Sequence, residues 1–304
     1  MMVDGDWTEH AADVRMQQGQ FYRQPSVFRQ LANYGAEIAR PGRIHLFSSW
    51  SCPWSQRAMI ARNLTGLHEL VSMTSAWGPR IEGYSISHGE PVSVPGVVEE
   101  VRFLHEIYKI SDPYYTGRVT VPVLWDASKR SILSNESDDI VRWFNDVGRL
   151  SGAETDLFPS EYDNEITDFN DKVYNGLANA VYEAGYARRQ GVYEAKAKLV
   201  ASTLIWLDEH FHNREYAVAG KITAADVYLV PCLLRFSAIY EILFKCRLVR
   251  IQELKNITRY IGTMISNGSI AETFDLDKAK LGYFLDQEIN PSGIVPVGPN
   301  DLGW

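Results

Sequence analysis

Cysteine is scarce in this 304-residue chain: Cys52, Cys232 and Cys246 are the only three. An odd, small number rules out a disulfide framework and points to a reducing, cytoplasmic setting. Basic charge is also short. Thirty Lys and Arg face 38 Asp and Glu, for a formal net charge of −8. With no basic tract to neutralise phosphates, a nucleic-acid partner is not expected. Long hydrophobic runs are missing. The most apolar region, 231–243, is broken by Arg235 and Glu241, so no membrane association is expected. Residues 1–10 are acidic and hold no apolar signal core. There is no repeat, no low-complexity stretch, and no His/Cys cluster with ligand spacing, so no metal is expected.

What is there is one thiol in a marked place. In Ile44-His45-Leu46-Phe47-Ser48-Ser49-Trp50-Ser51-Cys52-Pro53-Trp54-Ser55 an apolar stretch gives way to small polar residues, then to Cys-Pro and a helical run over 55–64. A cysteine at a strand–helix junction meets the free N–H groups and positive dipole end of the helix, which favour its thiolate. Proline suits the first helical turn because it has no N–H to lose. Ser55 stands where a Cys-x-x-Cys site has its second thiol. A lone thiolate cannot close an internal disulfide. It can form a mixed disulfide with a small thiol, which another small thiol must resolve. The bland alternative is a buried structural cysteine.

The length suggests two domains. Strands are expected at 43–48 and 70–74, an irregular Gly/Pro/Ser-rich loop over 75–96, and a helix over 98–108 with Val101, Leu104, Ile107 and Tyr108 at helical spacing. In Gly117-Arg118-Val119-Thr120-Val121-Pro122-Val123-Leu124-Trp125 a β-branched run is interrupted by proline, which argues against a central strand. A cis Val121–Pro122 bond would turn the backbone groups of Val121 toward a ligand; an edge strand with a trans proline is the other reading. A closing strand at 131–133 and a helix from Asn135-Glu136-Ser137 to Asn145 follow, opened by capping and acidic residues. Beyond a linker at 151–160 the pattern is helical at 165–184, 191–211 and 224–243. The last is introduced by a Thr223/Asp226 capping box and is apolar on most sides, as a central buried helix would be. The expected organisation is an extension (1–40), an α/β domain (41–150), an all-α domain (161–288) and an extended tail (289–304).

Several blocks together resemble the glutathione transferase superfamily and, within it, the Xi class, the glutathionyl-hydroquinone reductases. They are Cys52-Pro53-Trp54, the stretch from Gly117 to Trp125, Asn135-Glu136-Ser137, Val181-Tyr182-Glu183-Ala184-Gly185-Tyr186, Arg235-Phe236, Phe244-Lys245-Cys246 and the tail from Ile289 to Pro299. The resemblance implies a thioredoxin-like N-terminal domain followed by an all-α C-terminal domain, a homodimer, and a reductase that removes glutathione from glutathionyl-hydroquinones. It makes Cys52 the nucleophile, Tyr182 the general acid/base, and Tyr240 and Tyr283 hydrogen-bond donors to the thiolate. It places the thiol co-substrate on Arg118, Val119, Thr120, Val121, Pro122, Glu136 and Ser137. Apart from the resemblance, each of these tyrosines reads as an ordinary core or surface ring, and Glu136 as a solvated first-turn acid.

The chain also departs from the Xi pattern. Ser55-Gln56 replaces the usual Ala-His after Cys-Pro-Trp. Gly83-Tyr84 takes the place of a Gly-Trp whose indole touches glutathione, with Trp77 as another occupant of that role. These changes surround the thiol site, so the co-substrate is open between glutathione and a sugar-linked thiol such as mycothiol. Competing activities are a conjugating transferase, a mixed-disulfide reductase and, in another class, a non-catalytic binding module that would have no need of Cys52.

Overall fold

The computed structural model describes residues 1–9, 16–17 and 19–298. In chain order the strands are β1 (Met2–Val3), β2 (Asp6–Trp7), β3 (Met16–Gln17), β4 (Gln20–Phe21), β5 (Ile44–Ser49), β6 (Val71–Ala76), β7 (Val123–Asp126) and β8 (Ser131–Ser134). The helices are α1 (Pro53–Leu64), α2 (Leu104–Ser111), α3 (Ser137–Leu150), α4 (Asp163–Val173), α5 (Ala180–Gly185), α6 (Gln190–His210), α7 (Ala224–Leu234), α8 (Lys255–Ile265), α9 (Gly268–Ala271) and α10 (Leu276–Phe284). The chain forms two compact units, one of Met1–Ala12, Pro25–Asp156 and Asp277–Leu285, the other of Asp13–Gln24, Leu157–Leu276 and Asp286–Trp304. Residues 1–40, expected as one extension, are thus divided between the units. A nine-residue piece of the expected helical domain, Asp277–Leu285, packs with the α/β unit.

The first unit is a four-stranded sheet in the order β6-β5-β7-β8, with β5 parallel to β6 and antiparallel to β7. All six residues of β5 are buried, which is what a strand covered on both faces requires. The strand after Pro122 is therefore interior, against the expectation raised by that proline. The ladder explains it: β7 begins at Val123, opposite Phe47, so the missing proline N–H falls outside the paired register. The Val121–Pro122 bond is cis. Helix α2 starts at Leu104, six residues later than the spacing of Val101 and Leu104 suggests. Val92 and Val101 exchange backbone hydrogen bonds, and the Leu104 N–H donates to the Tyr84 carbonyl, so 101–103 are held extended. The Glu106 carboxylate accepts from the Arg102 and Phe103 N–H groups at 2.8 Å each and so satisfies the free donors of the helix start. The loop over 75–96 thereby gains antiparallel contacts with 101–103.

The second unit is helical apart from the β3–β4 hairpin. All eleven residues of α7 are buried. Its start is fixed by Asp226, whose carboxylate accepts from the N–H groups of Ala217 and Thr223 and from the Tyr260 hydroxyl at 2.8, 2.9 and 3.0 Å. The helix expected to reach 243 ends at Leu234 and passes into a wider π turn over Phe236–Tyr240. Likewise the helical pattern of 165–184 is split by a π turn at Tyr174–Ala178. The tail from residue 286 is held by local hydrogen bonds, such as Asn290 Nδ2 to the Ile294 carbonyl at 3.0 Å. Pro299 and the residues after it lie outside the described residues.

Candidate functional site

Cys52 is the N-cap of α1, with Pro53 in the first helical position. Its own carbonyl accepts the Gln56 N–H at 3.1 Å, the first bond of the helix. The side chain therefore stands at the end of α1 where N–H groups lack helical partners. The Cys52 Sγ donates to the Val121 carbonyl at 3.7 Å, and the residue keeps 8% of its surface exposed, so the sulfur is screened without being sealed. Ser55 is fully buried and its hydroxyl has no hydrogen-bond partner.

The backbone leading to Val121 is held by side chains that sequence reasoning passed over. The Tyr108 hydroxyl donates to the Thr120 carbonyl at 2.9 Å and accepts the Thr120 N–H at 3.2 Å and Asn135 Nδ2 at 3.1 Å. The Tyr115 hydroxyl donates to the Arg118 carbonyl at 2.8 Å. Two buried phenols thus fix the backbone of 118–120 that leads to the sulfur. Burial pushes both phenols above the ordinary tyrosine range, so they act as neutral hydrogen bonders. Tyr108 carried a sequence signal as a core residue of a helix, but nothing in the pattern told that its hydroxyl would be used.

Glu136 caps α3 and accepts from the Asp138 N–H at 3.4 Å and from the Ser26 hydroxyl at 3.0 Å. Ser137, the first helical residue, is buried. Tyr84 and Val119 are packed against the cluster of buried side chains that includes Cys52 and Val121. Burial pushes the Tyr84 phenol up to about 12, opposed by the guanidiniums of Arg80 and Arg118, while Cys52 and Tyr283 act in the same direction as burial. The other candidate for that place, Trp77, stacks instead on His88 with ring centroids 4.2 Å apart.

Tyr283 reaches this unit because α10 lies directly on the segment before Cys52. A Cβ added to Gly282 would sit 2.6 Å from the Ser51 Cβ, so only glycine permits this approach. Lys278, one turn earlier on α10, holds its ammonium 5.0 Å from the centre of the Trp50 ring. The α/β unit therefore gathers Cys52, Tyr84, Arg118, Val119, Thr120, Val121, Pro122, Glu136, Ser137 and Tyr283.

Tyr182 and Tyr240 belong to the helical unit. Tyr240 is fully buried, stacked on Phe244 with centroids 5.5 Å apart and edge-on to Tyr182 at 6.1 Å. Tyr182 is half-buried and carries the Arg23 guanidinium 5.3 Å from its ring centre. Arg23 is fixed there by Asn179 Oδ1 at 3.1 Å. Among the described residues no group of three or more His, Cys, Asp or Glu side chains could hold a metal ion, and no helix is long and apolar enough to cross a membrane.

Residues 51–147 match the family model described as the glutathione S-transferase N-terminal domain. Over 98% of its length the chain is 40% identical to the glutathionyl-hydroquinone reductase PcpF of Sphingobium chlorophenolicum, covering 96% of that protein. It is 33% identical to the glutathionyl-hydroquinone reductase YqjG of Escherichia coli, over 98% of this chain and 94% of that one. The glutathione-bound structure of YqjG aligns with 100% of this chain and 97% of its own, with a TM-score of 0.84 at 32% identity. An Xi-class glutathione transferase from Natrialba magadii aligns over 99% and 94% of the two chains, with a TM-score of 0.88 at 31% identity.

Proposed function

The chain belongs to the glutathionyl-hydroquinone reductases, the Xi class of glutathione transferases, and from that premise we propose that it removes glutathione from glutathionyl-hydroquinones through a mixed disulfide on Cys52. The observation that carries this reading is the placement of Cys52. It is a thiol at a helix N-cap beside the Val121 carbonyl, with the other two cysteines in the other unit. A thiolate so placed attacks a bound sulfur, and Ser55 in place of a second Cys-x-x-Cys thiol leaves resolution to another small thiol.

In the first step the Cys52 thiolate attacks the sulfur of the conjugate. The new S–S bond forms as the sulfur–ring bond breaks, and the bonding pair stays on the ring carbon. Tyr182 delivers the proton to that carbon, and the hydroquinone leaves. In the second step a glutathione thiolate attacks the Cys52 mixed disulfide, yielding glutathione disulfide and the free Cys52 thiolate. The two electrons that reduce the carbon come from the two thiols. Tyr283 and Tyr240 are assigned as hydrogen-bond donors to the thiolate.

The co-substrate peptide is assigned to the edge around Val121, where an extended thiol peptide finds backbone groups as an added strand does. Glu136 and Ser137, at the start of α3, take its γ-glutamyl end, the carboxylate on the helix N–H groups and the ammonium on the Glu136 carboxylate. A sugar-linked thiol such as mycothiol would use the same sulfur chemistry with other contacts. The test is mass spectrometry after exposure to oxidised glutathione and, separately, to oxidised mycothiol. A glutathione adduct on Cys52, together with release of free hydroquinone from a glutathionyl-hydroquinone, is expected. Turnover that survives Cys52→Ala overturns the mechanism.

A further inference from the structure

The first two strands of the α/β unit, β1 and β2, form a hairpin that the preceding assignments leave without a part. It turns through Asp4 and Gly5, both with positive φ, as a two-residue turn between twisted strands requires. The hairpin is clamped to the chain that leads to Arg118 and Val121. Met2 and Gly117 exchange backbone hydrogen bonds at 2.9 and 3.1 Å, and the Gly5 N–H donates to the Tyr115 carbonyl at 3.1 Å. The Asp4 N–H donates to the Thr116 hydroxyl at 2.8 Å. Met2 is fully buried in the cluster that contains Cys52, Tyr115 and Val121.

Trp7 ends the hairpin and reaches the loop that carries Tyr84. A Cβ added to Gly83 would lie 3.0 Å from Cη2 of the Trp7 ring, so the indole rests against the residue before Tyr84. The same ring stacks on His105 with centroids 5.2 Å apart. His105 Nε2 donates to the Glu82 carboxylate, which can only accept, at 3.1 Å. The two residues before Tyr84 are thus both held, Gly83 by Trp7 and Glu82 by His105. Trp7 Nε1 is buried and has no hydrogen-bond partner among the described residues. An unpaired buried donor adds nothing to stability, so what Trp7 contributes here is its ring.

We infer that Trp7, with His105 beside it, is a positioning residue of the thiol site: anchored through its hairpin to 115–117, it sets the loop that presents Tyr84. The inference rests on the proposed use of Cys52 with glutathione and on Tyr84 as part of that site. Helix α2 ties the same two segments by a second route, through the Leu104 N–H on the Tyr84 carbonyl and the Tyr108 hydroxyl on the Thr120 carbonyl. Loss of Trp7 therefore loosens the loop without detaching it. Binding of the thiol suffers, and the chemistry at the sulfur does not.

The test is steady-state kinetics of hydroquinone release with glutathione as the second thiol. Trp7→Ala is expected to raise the KM for glutathione about fivefold and to keep kcat within about twofold, the signature of lost binding without lost chemistry. Iodoacetamide should modify Cys52 as fast in this variant as in the intact protein. In a Tyr84→Ala background the same change should add less than about twofold, because residues that act through one another are not additive. Trp7→Phe, which keeps a ring on His105, should recover part of the loss. Glu82→Ala releases the other hold from a half-exposed position and should raise KM about threefold. Far-ultraviolet circular dichroism checks the fold of each variant. An unchanged KM in Trp7→Ala or, where that variant does not fold, in Glu82→Ala overturns the role of Trp7 and leaves the Cys52 chemistry in place. So do additive effects of Trp7→Ala and Tyr84→Ala. A Cys52 that forms no adduct with glutathione overturns both readings.

Discussion

Cys52 and Cys246 are both buried, with 8% and 3% of their surfaces exposed, and each sulfur donates to a backbone carbonyl at 3.7 Å, of Val121 and Phe244 respectively. They differ in the backbone on which they stand. Cys52 is the N-cap of a twelve-residue helix. Cys246 follows Lys245, a left-handed residue in a loop, and burial pushes its thiol up to about 12. Burial in apolar surroundings makes a thiol inert. The two thiols thus share their burial and differ in their backbone setting, a helix start for Cys52 and a loop for Cys246.

The largest effect comes from exchanging the two sites' roles. Cys52→Ala should lower hydroquinone release by at least about a thousandfold, the scale of losing a covalent nucleophile, whereas Cys246→Ala leaves it within about twofold. Iodoacetamide at pH 7 should modify Cys52 and spare Cys246. Equal labelling of the two would break the comparison.

The pH response sets the two units apart in the same manner. His45, in β5, is buried between the Ser72 and Thr74 hydroxyls at 2.8 and 3.0 Å, and burial lowers its pKa to about 4 from 6.5. The neutral ring is the folded form. Its contribution is complete above pH 6.5 and is lost as pH falls toward 4, for a change of about 3 kcal/mol at most. Asp226 has the opposite sign. Burial raises it to about 6 from 3.8, so its contribution is present below pH 3.8 and is lost as pH rises through 6, again by about 3 kcal/mol at most. Hydrogen exchange resolved along the chain at pH 5 and pH 7 should show β5 and β6 better protected at pH 7 and the start of α7 better protected at pH 5. Parallel changes in both regions would contradict it.

Tyr182→Phe tests the part assigned to the helical unit. It should reduce kcat about a hundredfold, the lower range for losing a general acid, and remove the acid's limb from the pH–rate profile while adduct formation on Cys52 persists. A profile identical to that of the unchanged protein would reject the role. The smallest effect concerns the seam between α10 and Ser51. Gly282→Ala forces a Cβ into 2.6 Å contact and should cost about 1–3 kcal/mol by overpacking, read as a lower melting temperature. An unchanged melting temperature would mean that α10 can shift, and that Tyr283 is not fixed by this contact.

Much of the α/β unit is written locally. The alternation of apolar strands, the Cys-Pro start of α1 and the Glu136 cap each follow from a few neighbouring residues, and the structure places β5, α1, β6, β8 and α3 within a few residues of where periodicity puts them. The pattern misled where a distant partner overrode local preference. Val101 has helical spacing with Leu104, yet it pairs with Val92 as extended chain. The late helix 224–243 reads as continuous, yet it loosens into a π turn after Pro231 and the buried Arg235, whose guanidinium donates to the Pro231 carbonyl at 2.8 Å. Tyr108, Tyr115 and Asn135 were invisible as site residues because a hydroxyl or amide announces no partner until the backbone it will hold has been brought to it.

The sequence by itself determined that one cysteine starts a helix and has no second thiol beside it, since that depends only on the order Ser51-Cys52-Pro53-Trp54-Ser55 and on helix-end chemistry. Only the tertiary structure decided what surrounds that sulfur. The carbonyl of Val121, the ring of Tyr84 under Arg80 and the Gly282 contact that seats Tyr283 come from segments 30 to 230 residues away, and long-range packing is not encoded in any local window of the chain.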